Sequence, residues 1–187
     1  MPHINLPEGV PGIVSGYTYR PEVARPMREL AHILLFEPGS LSPGERELIA
    51  AYVSSENRCR FCELSHAAVA ARHLGDESII EQVKTDFQGA SISEKLKSLL
   101  NIAGKVQKDG KLVTTADVAA AREHGATDME IHDTVLIAAA FCMYNRYVDG
   151  LAMWQPADRA IYAQTAARLA GEGYRRGSNT PPAKSPE

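Results

Sequence analysis

The chain has 187 residues, of which 44% are hydrophobic and 23% are charged. This profile predicts one compact domain with a core of its own and excludes a disordered chain or a collagen. Three cysteines are too few for a secreted disulfide scaffold. Twenty basic and 23 acidic side chains give a net charge of -3, so no net positive field attracts nucleic acid or anionic lipid.

The sequence also lacks the features of an exported or membrane-bound protein. Its first residues contain neither the basic nor the apolar segment of a signal peptide, and the longest apolar run, residues 135–143, is far shorter than a membrane span. We therefore expect a cytoplasmic protein with no membrane partner, no nucleic-acid partner and no bound cofactor.

Prolines and glycines interrupt the N-terminal segment. The first 20 residues contain three of each, and they break any regular spacing of apolar residues. This pattern predicts an extended arm over residues 1–20 that packs on something larger, with a neighbouring subunit as one candidate.

The rest of the chain has the apolar spacing and the end signals of helices. Ser42 with Glu45 and Thr127 with Glu130 form capping boxes at two helix starts, and Gly75 is a natural helix end. No run of alternating strand residues appears, so we predict an all-α domain over residues 21–174. The predicted helices cover residues 22–36, 43–57, 59–74, 76–87, 93–108, 115–124, 127–153 and 156–170.

Two segments of the predicted domain organisation stand out by their composition. The helix from Thr127 contains the most apolar stretch and is expected to be the central, most buried element. Residues 175–187 are rich in proline and small polar residues, which predicts a disordered tail.

Three reactive side chains lie on one face of the third predicted helix. Cys59, Cys62 and His66 are spaced at i, i+3 and i+7, so they project from the same side. Glu47 lies in the preceding helix, and the short connection between the two helices makes them antiparallel neighbours. The sequence therefore predicts a cluster of two thiols, one imidazole and one carboxylate.

This cluster suits redox chemistry. A thiol attacks an electrophile only as the thiolate, and His66 would take its proton while Glu47 holds the imidazole in the correct tautomer. The second cysteine then resolves the oxidised sulfur as a disulfide before it is oxidised further.

Two other interpretations of the cysteine pair stay open. Cys59, Cys62, His66 and Glu47 could together hold one zinc ion, although no second cysteine pair or His-x3-His motif supplies the usual ligands. Both thiols could instead be buried simply as small apolar groups, but charged neighbours keep this turn polar.

The spacing Glu47, eleven residues, Cys59, two residues, Cys62, three residues, His66 resembles the signature of the alkylhydroperoxidase D-like proteins. These proteins form part of the carboxymuconolactone decarboxylase superfamily. The similarity extends to residues 41–50 and to residues 141–146, which resemble a later helix of the peroxidase-related branch.

The resemblance implies an all-helical fold, homo-oligomers such as trimers or hexamers, and reduction of hydroperoxides by a thiol, with an unidentified thiol as electron donor. It assigns the attack on peroxide to Cys62 and the resolving role to Cys59. The helix dipole alone favours Cys59, which lies nearer the helix N-terminus, so the order of the two cysteines stays open at this point.

The sequence departs from the family at one position. Phe61 stands between the two cysteines, where the best-studied members carry a histidine of the proton relay. A full relay is therefore not implied. The alternatives for function are a carboxymuconolactone decarboxylase-like lyase, which needs no cysteine pair, and a non-catalytic oligomer that senses zinc or redox state.

Other polar residues receive structural interpretations. Cys142 lies in an apolar helix and is expected in the core. His132 is expected at the surface or in a cap, and Asn145, Arg146 and Asp149 in a hydrogen-bond network within or between subunits.

Overall fold

A computed structural model describes residues 1–175, and every regular element in that range is helical. The all-α prediction is therefore confirmed. A short 3-10 turn, Gly110–Leu112, lies between the sixth and seventh α-helices. The α-helices are α1 Ile13–Tyr19, α2 Pro21–Leu35, α3 Pro43–Glu56, α4 Arg60–Leu74, α5 Ser78–Asp86, α6 Glu94–Lys108, α7 Thr115–Glu123, α8 Asp128–Gly150 and α9 Arg159–Glu172.

The core is built around α3 and α8. Ten of the 14 residues of α3 are buried, and this helix packs on α4, α6 and α8. The expected capping boxes start both helices: the Ser42 hydroxyl accepts from the backbone N–H of Glu45, and Thr127 does the same for Glu130. Each cap satisfies backbone donors that would otherwise lack a partner.

The α3–α4 pair is antiparallel, as the short connection predicts. Gly44 at the start of α3 faces Leu74 at the end of α4, and a Cβ at Gly44 would come within 2.8 Å of the Leu74 side chain. At the other end, the chain turns at Arg58, which has a φ of 59°. The backbone N–H of Cys59 then donates to the carbonyl of Ser54, which places both cysteines at the start of α4.

The prediction of an extended arm over residues 1–20 is wrong for residues 13–19, which form α1. The prolines and glycines interrupt only residues 1–12, and Gly12 starts the helix with a φ of 49°. Gly16 permits the close approach of Tyr147 and Met153, because a Cβ there would lie 2.6 Å from the Tyr147 hydroxyl. Tertiary packing thus stabilises a short helix that local sequence does not favour.

The N-terminal segment packs on its own chain. The N–H of His3 donates to the carbonyl of Leu151, and that of Gly12 donates to the carbonyl of Trp154. Leu6 is buried against α4 and the end of α8. Residues 1–12 therefore cover the region in which α4 begins.

Helix ends near the C-terminus differ from the predicted ones. The predicted helix 127–153 ends at Gly150, because Ala152 turns the chain with a φ of 48°. The predicted helix 156–170 begins at Arg159, where the Asp158 side chain caps it. The turn after Gly150 contacts the N-terminal segment, because the N–H of His3 donates to the carbonyl of Leu151. Sequence spacing does not report this contact.

The chain folds back after α9. Arg175 forms ion pairs of 2.7 Å with both Glu29 and Glu37, so the first residue of the predicted tail is in contact with α2 and the turn that follows it. Residues 176–187 of that tail lie outside the described residues. Within residues 1–175, no helix combines the length and the apolar character needed to cross a membrane.

The buried carboxylate of Glu130 generates a testable prediction. It accepts from Lys95 Nζ at 2.7 Å and from the Thr127 backbone at 2.7 Å. Burial raises the pKa of Glu130, but these bonds more than offset it and the pKa lies below its ordinary 4.5. The carboxylate therefore stabilises the fold above about pH 4.5, and this contribution is lost as the pH falls through the lowered pKa.

Glu130→Gln should lower the free energy of unfolding at pH 7 by about 1–3 kcal/mol, as measured by urea denaturation. The difference from the wild type should shrink when the titration is repeated near pH 3–4. Glu94→Gln, which changes a carboxylate with a 63% exposed side chain, is the control and should change little. A deficit that is independent of pH would contradict the assignment.

Candidate active site

A carboxylate from α3 and an imidazole from α4 meet inside the helix pair. Glu47 Oε2 lies 2.7 Å from His66 Nδ1, and Glu47 is only 1% exposed. The contact assigns the proton of this bond to Nδ1, so that Nε2 is the unprotonated nitrogen of the neutral ring. An edge-to-face contact with the Phe141 ring further fixes the orientation of the imidazole, and the two ring centroids lie 4.5 Å apart.

Tyr174 completes this group, and sequence reasoning missed it. Its hydroxyl donates to Glu47 Oε1 at 2.5 Å and lies 3.3 Å from His66 Nδ1. Burial raises the pKa of Tyr174, and the charge of Glu47 raises it further, so the phenol stays a neutral donor. Its backbone N–H donates to His32 Nδ1, which holds the chain at this position after α9.

The two cysteines have different environments. Cys59 precedes α4 and is fully buried, whereas Cys62 lies in the first turn and is 4% exposed. A hydrogen bond with Cys62 raises the pKa of the Cys59 thiol, and burial raises it further. Cys59 is therefore the protonated partner, and its S–H can donate to the Cys62 sulfur.

Asp149 lies on the other side of Cys59, at the end of α8. Burial raises the pKa of the Asp149 carboxyl, while a hydrogen bond with the Cys59 thiol and one with Gln155 lower it. Apolar contacts from Leu6 and Met153 close the remaining space around the cysteines. The Cys59 thiol thus lies between the Cys62 sulfur and the Asp149 carboxyl.

A cavity of about 130 Å³ brings Cys62 and His66 to one surface. Glu47 lies behind His66, and Cys59 lies behind Cys62; neither of them lines the cavity. The other lining residues are mostly apolar or aromatic: Ile13, Val14, Tyr17, Arg28, Ala31, Phe61, Ser65, Phe141, Tyr144, Thr165, Arg168, Leu169 and Tyr174.

The cavity adjoins a larger groove toward α9. The groove has a volume of about 440 Å³ and shares Phe61, Ser65 and Thr165 with the cavity wall. The Phe61 ring packs against Tyr162 in a tilted arrangement with a centroid distance of 5.9 Å. The position between the cysteines therefore serves as an apolar wall between cavity and groove.

The polar patch at the end of α8 forms a network beneath the cysteine turn. Asn145 is buried; its amide donates to Ser54 Oγ at 3.1 Å and its oxygen accepts from Asn57 at 2.9 Å. The half-buried Cys142 thiol lies 3.6 Å from the same Asn57 nitrogen. These contacts tie α8 to the turn that carries Cys59.

His132 and Arg146 lie outside the cavity. His132 is exposed and pairs with Asp133 at 2.9 Å, and Arg146 is exposed and donates to the carbonyl of Cys142 in its own helix.

The zinc interpretation requires at least three ligands around one point. Within residues 1–175, no three His, Cys, Asp or Glu side chains are arranged to hold a metal ion. Two of the four candidate zinc ligands, His66 and Glu47, are instead hydrogen-bonded to each other through His66 Nδ1.

Comparisons with known proteins place these features in context. The sequence profile described as carboxymuconolactone decarboxylase family matches residues 21–85, which include Glu47, both cysteines of the pair and His66. A comparison with functionally curated proteins finds no significant match.

Two solved structures share the fold. One is an uncharacterized peroxidase-related protein from Ralstonia eutropha JMP134, described as an alkylhydroperoxidase AhpD core. It has a TM-score of 0.75 and 28% identity over 83% of this chain and 80% of its own. The other, an uncharacterized peroxidase-related protein from Silicibacter sp. TM1040, has a TM-score of 0.74 and 28% identity over 82% and 79% of the two chains.

The profile match contains the four residues that meet at the α3–α4 pair, and the shared all-helical architecture extends over most of the described chain. The chain is thus similar to the carboxymuconolactone decarboxylase family over residues 21–85, and it shares its fold with two peroxidase-related proteins.

Proposed function

We propose that the protein is an antioxidant enzyme that reduces small or alkyl hydroperoxides with the Cys62 thiol. The observation that carries this proposal is the shared cavity of Cys62 and His66, with Glu47 hydrogen-bonded to the far side of the imidazole. The peroxidase-related neighbours support it. The walls are apolar, which suits an alkyl substituent.

In the proposed reaction, the two cysteines, His66 and Glu47 each have one role. His66 Nε2 takes the proton of Cys62, and Glu47 stabilises the imidazolium. The thiolate attacks the terminal oxygen of the hydroperoxide, the O–O bond breaks, and Cys62 becomes a sulfenic acid. Cys59 then attacks this sulfur, which forms the disulfide and releases water, and an external thiol returns two electrons.

The different environments of the cysteines support Cys62 as the attacking residue. Cys62 faces the cavity and His66, whereas Cys59 is fully buried behind it. The hydrogen bond with Cys62 raises the pKa of Cys59, and burial raises it further, so Cys59 stays protonated and is a poor first nucleophile. This bond opposes the simple helix-dipole argument, which favours the cysteine nearer the N-terminus.

The chemistry requires that both thiols can be kept reduced. A reducing compartment such as the cytoplasm meets this requirement. In this proposal the lyase chemistry of the superfamily is the rival, because it would use Glu47 and His66 for proton transfer without any change in the oxidation state of sulfur.

The order of events can be tested by trapping the sulfenic acid. In Cys59→Ser, peroxide should produce a dimedone-type adduct at Cys62, because the resolving thiol is absent. Cys62→Ser should form no adduct at Cys59, whose thiol is buried and has a raised pKa. Peptide mass spectrometry locates the adduct, and an adduct at Cys59 alone would reverse the assignment.

The roles of the buried pair can be tested by kinetics. His66→Ala should slow oxidation of Cys62 by roughly 100- to 10,000-fold, because the general base is lost. Glu47→Gln should cause part of this loss, since the imidazolium is no longer stabilised. The measurement is stopped-flow oxidation of the reduced protein by tert-butyl hydroperoxide. His124→Ala, at an exposed histidine bonded to Ser98, is the control, and equal rates in all three variants would refute the proposal.

Assembly forms the second part of the proposal. We infer that the chain pairs with a copy of itself through one face of α8, here called the α8 stripe. The spacing between its exposed residues alternates between three and four positions, which is typical of helices that pair with another helix. Its apolar members are up to 61% exposed, which marks an interaction surface. The stripe consists of Met129, His132, Leu136, Ala139, Met143 and Arg146.

Charge along α8 favours an antiparallel pairing of two copies. Asp128 and Asp133 lie toward the start of the helix and Arg146 lies toward its end. A two-fold axis near residues 137–138 would bring Arg146 of each copy beside the acidic start of α8 in the other. Such a contact occurs in a dimer or in a hexamer built from two trimers, but not in an isolated trimer.

A charge at the centre of the stripe should break this contact. Leu136→Glu places like charges next to each other across the two-fold axis and should reduce the oligomer to a smaller species at micromolar concentration. Sedimentation velocity measures the change. Ile33→Glu, at a 50% exposed position of α2, is the matched control and should leave the assembly intact; an unchanged Leu136→Glu protein would refute the α8 contact.

A further inference from the structure

A tyrosine of α1 shares the cavity with the Cys62 thiol. Tyr17 is 8% exposed and lies on the cavity wall with Cys62 and His66. We infer that Tyr17 is a further catalytic residue, which gives a proton to the alkoxide that leaves when Cys62 attacks a hydroperoxide. This inference rests on the proposed function of the same site.

The Tyr17 hydroxyl is not used by the fold. Three tyrosines line the cavity. Tyr144 donates to the carbonyl of Met27 and Tyr174 donates to Glu47, whereas among residues 1–175 Tyr17 has no acceptor. In that range the buried side-chain atoms without a partner are Arg46 Nε and Thr134 Oγ1. The Tyr17 oxygen is not one of these buried atoms, so it is accessible from the cavity. A substrate oxygen in the cavity can therefore accept its hydrogen bond.

Burial keeps the Tyr17 hydroxyl protonated until a strong base forms beside it. Burial raises the pKa of Tyr17, the neighbouring Tyr144 and Cys62 raise it further, and Arg28 lowers it. The Arg28 guanidinium lies over the phenol ring, 4.8 Å from its centroid. An alkoxide, whose conjugate acid is about as weak as water, is basic enough to take the phenolic proton.

The step balances as follows. The Cys62 thiolate bonds to the terminal oxygen of ROOH, the O–O bond breaks, and its electron pair leaves with RO⁻. Tyr17 gives its proton to RO⁻ and forms ROH, while Arg28 stabilises the transient phenolate. The proton that His66 took from Cys62 then returns to Tyr17, so that Cys62-SH and ROOH have become Cys62-SOH and ROH.

The apolar walls favour this proton transfer. Arg28 can stabilise an anion in the cavity, but most of the other lining groups are apolar, so the neutral alcohol is a more stable product there than the alkoxide. His66 Nδ1 is bonded to Glu47, and Tyr174 is also bonded to Glu47. Tyr17 thus supplies a neutral donor in the cavity that is separate from the Glu47–His66–Tyr174 group.

Tyr17→Phe tests the inference through the identity of the leaving group. The reduced protein is mixed with tert-butyl hydroperoxide, which releases an alkoxide, or with peracetic acid, which releases acetate and needs no proton. We expect the variant to lose about 100-fold in rate with the alkyl hydroperoxide and less than about 3-fold with the peracid. Tyr52→Phe, a buried tyrosine of α3 outside the cavity, should change neither rate.

Arg28→Met provides a second variant at a half-buried position, and it should show the same selective loss at smaller size. Equal losses with both oxidants would mean that Tyr17 only shapes the cavity, and an unchanged rate with tert-butyl hydroperoxide would remove its role; either result overturns the inference. A wild-type protein inert to both oxidants would instead refute the proposed function, so the two failures are distinguishable.

Discussion

The contact between Glu47 and His66 is the constraint on which the rest of the site depends. A carboxylate that is 1% exposed needs hydrogen-bond donors. The imidazole from α4 supplies one, and Tyr174 supplies another from the far end of the chain. The antiparallel packing of α3 on α4 and the return of the chain after α9 are both required for this arrangement. The same contacts leave His66 Nε2 available to the cavity.

Local signals in the sequence were sufficient for most of the fold. Capping residues at Ser42 and Thr127 and the terminator at Gly75 define helix ends through contacts within a few residues. The i, i+3, i+7 spacing likewise determines that Cys59, Cys62 and His66 share one side of a helix. A short helix such as α1 forms only because packing compensates its poor local propensity, so no spacing rule could reveal it.

Tyr17 and Tyr174 show what sequence reasoning could not find. They come from opposite ends of the chain, and Tyr174 lies 108 residues from His66. Nothing in the residues around either tyrosine distinguishes it from one that fills a core. Their environments arise when α1 packs on α2 and α8 and the segment after α9 returns to His32 and Glu47, which makes both side chains part of one cavity wall. The departure at Phe61 has a similar explanation, since its ring packs on Tyr162 rather than joining a proton relay.

The cover that residues 1–12 place over the start of α4 limits how the sulfur pair can be reached. Leu6, Val148 and Met153 enclose Cys59 on the side away from the cavity, so an incoming thiol meets the Cys62 sulfur first. The oxidant and the reductant would then use the same opening and react with the same atom in turn. For the proposed reaction, this geometry implies double-displacement kinetics. Each substrate at high concentration would then inhibit by binding to the form of the enzyme that reacts with the other substrate.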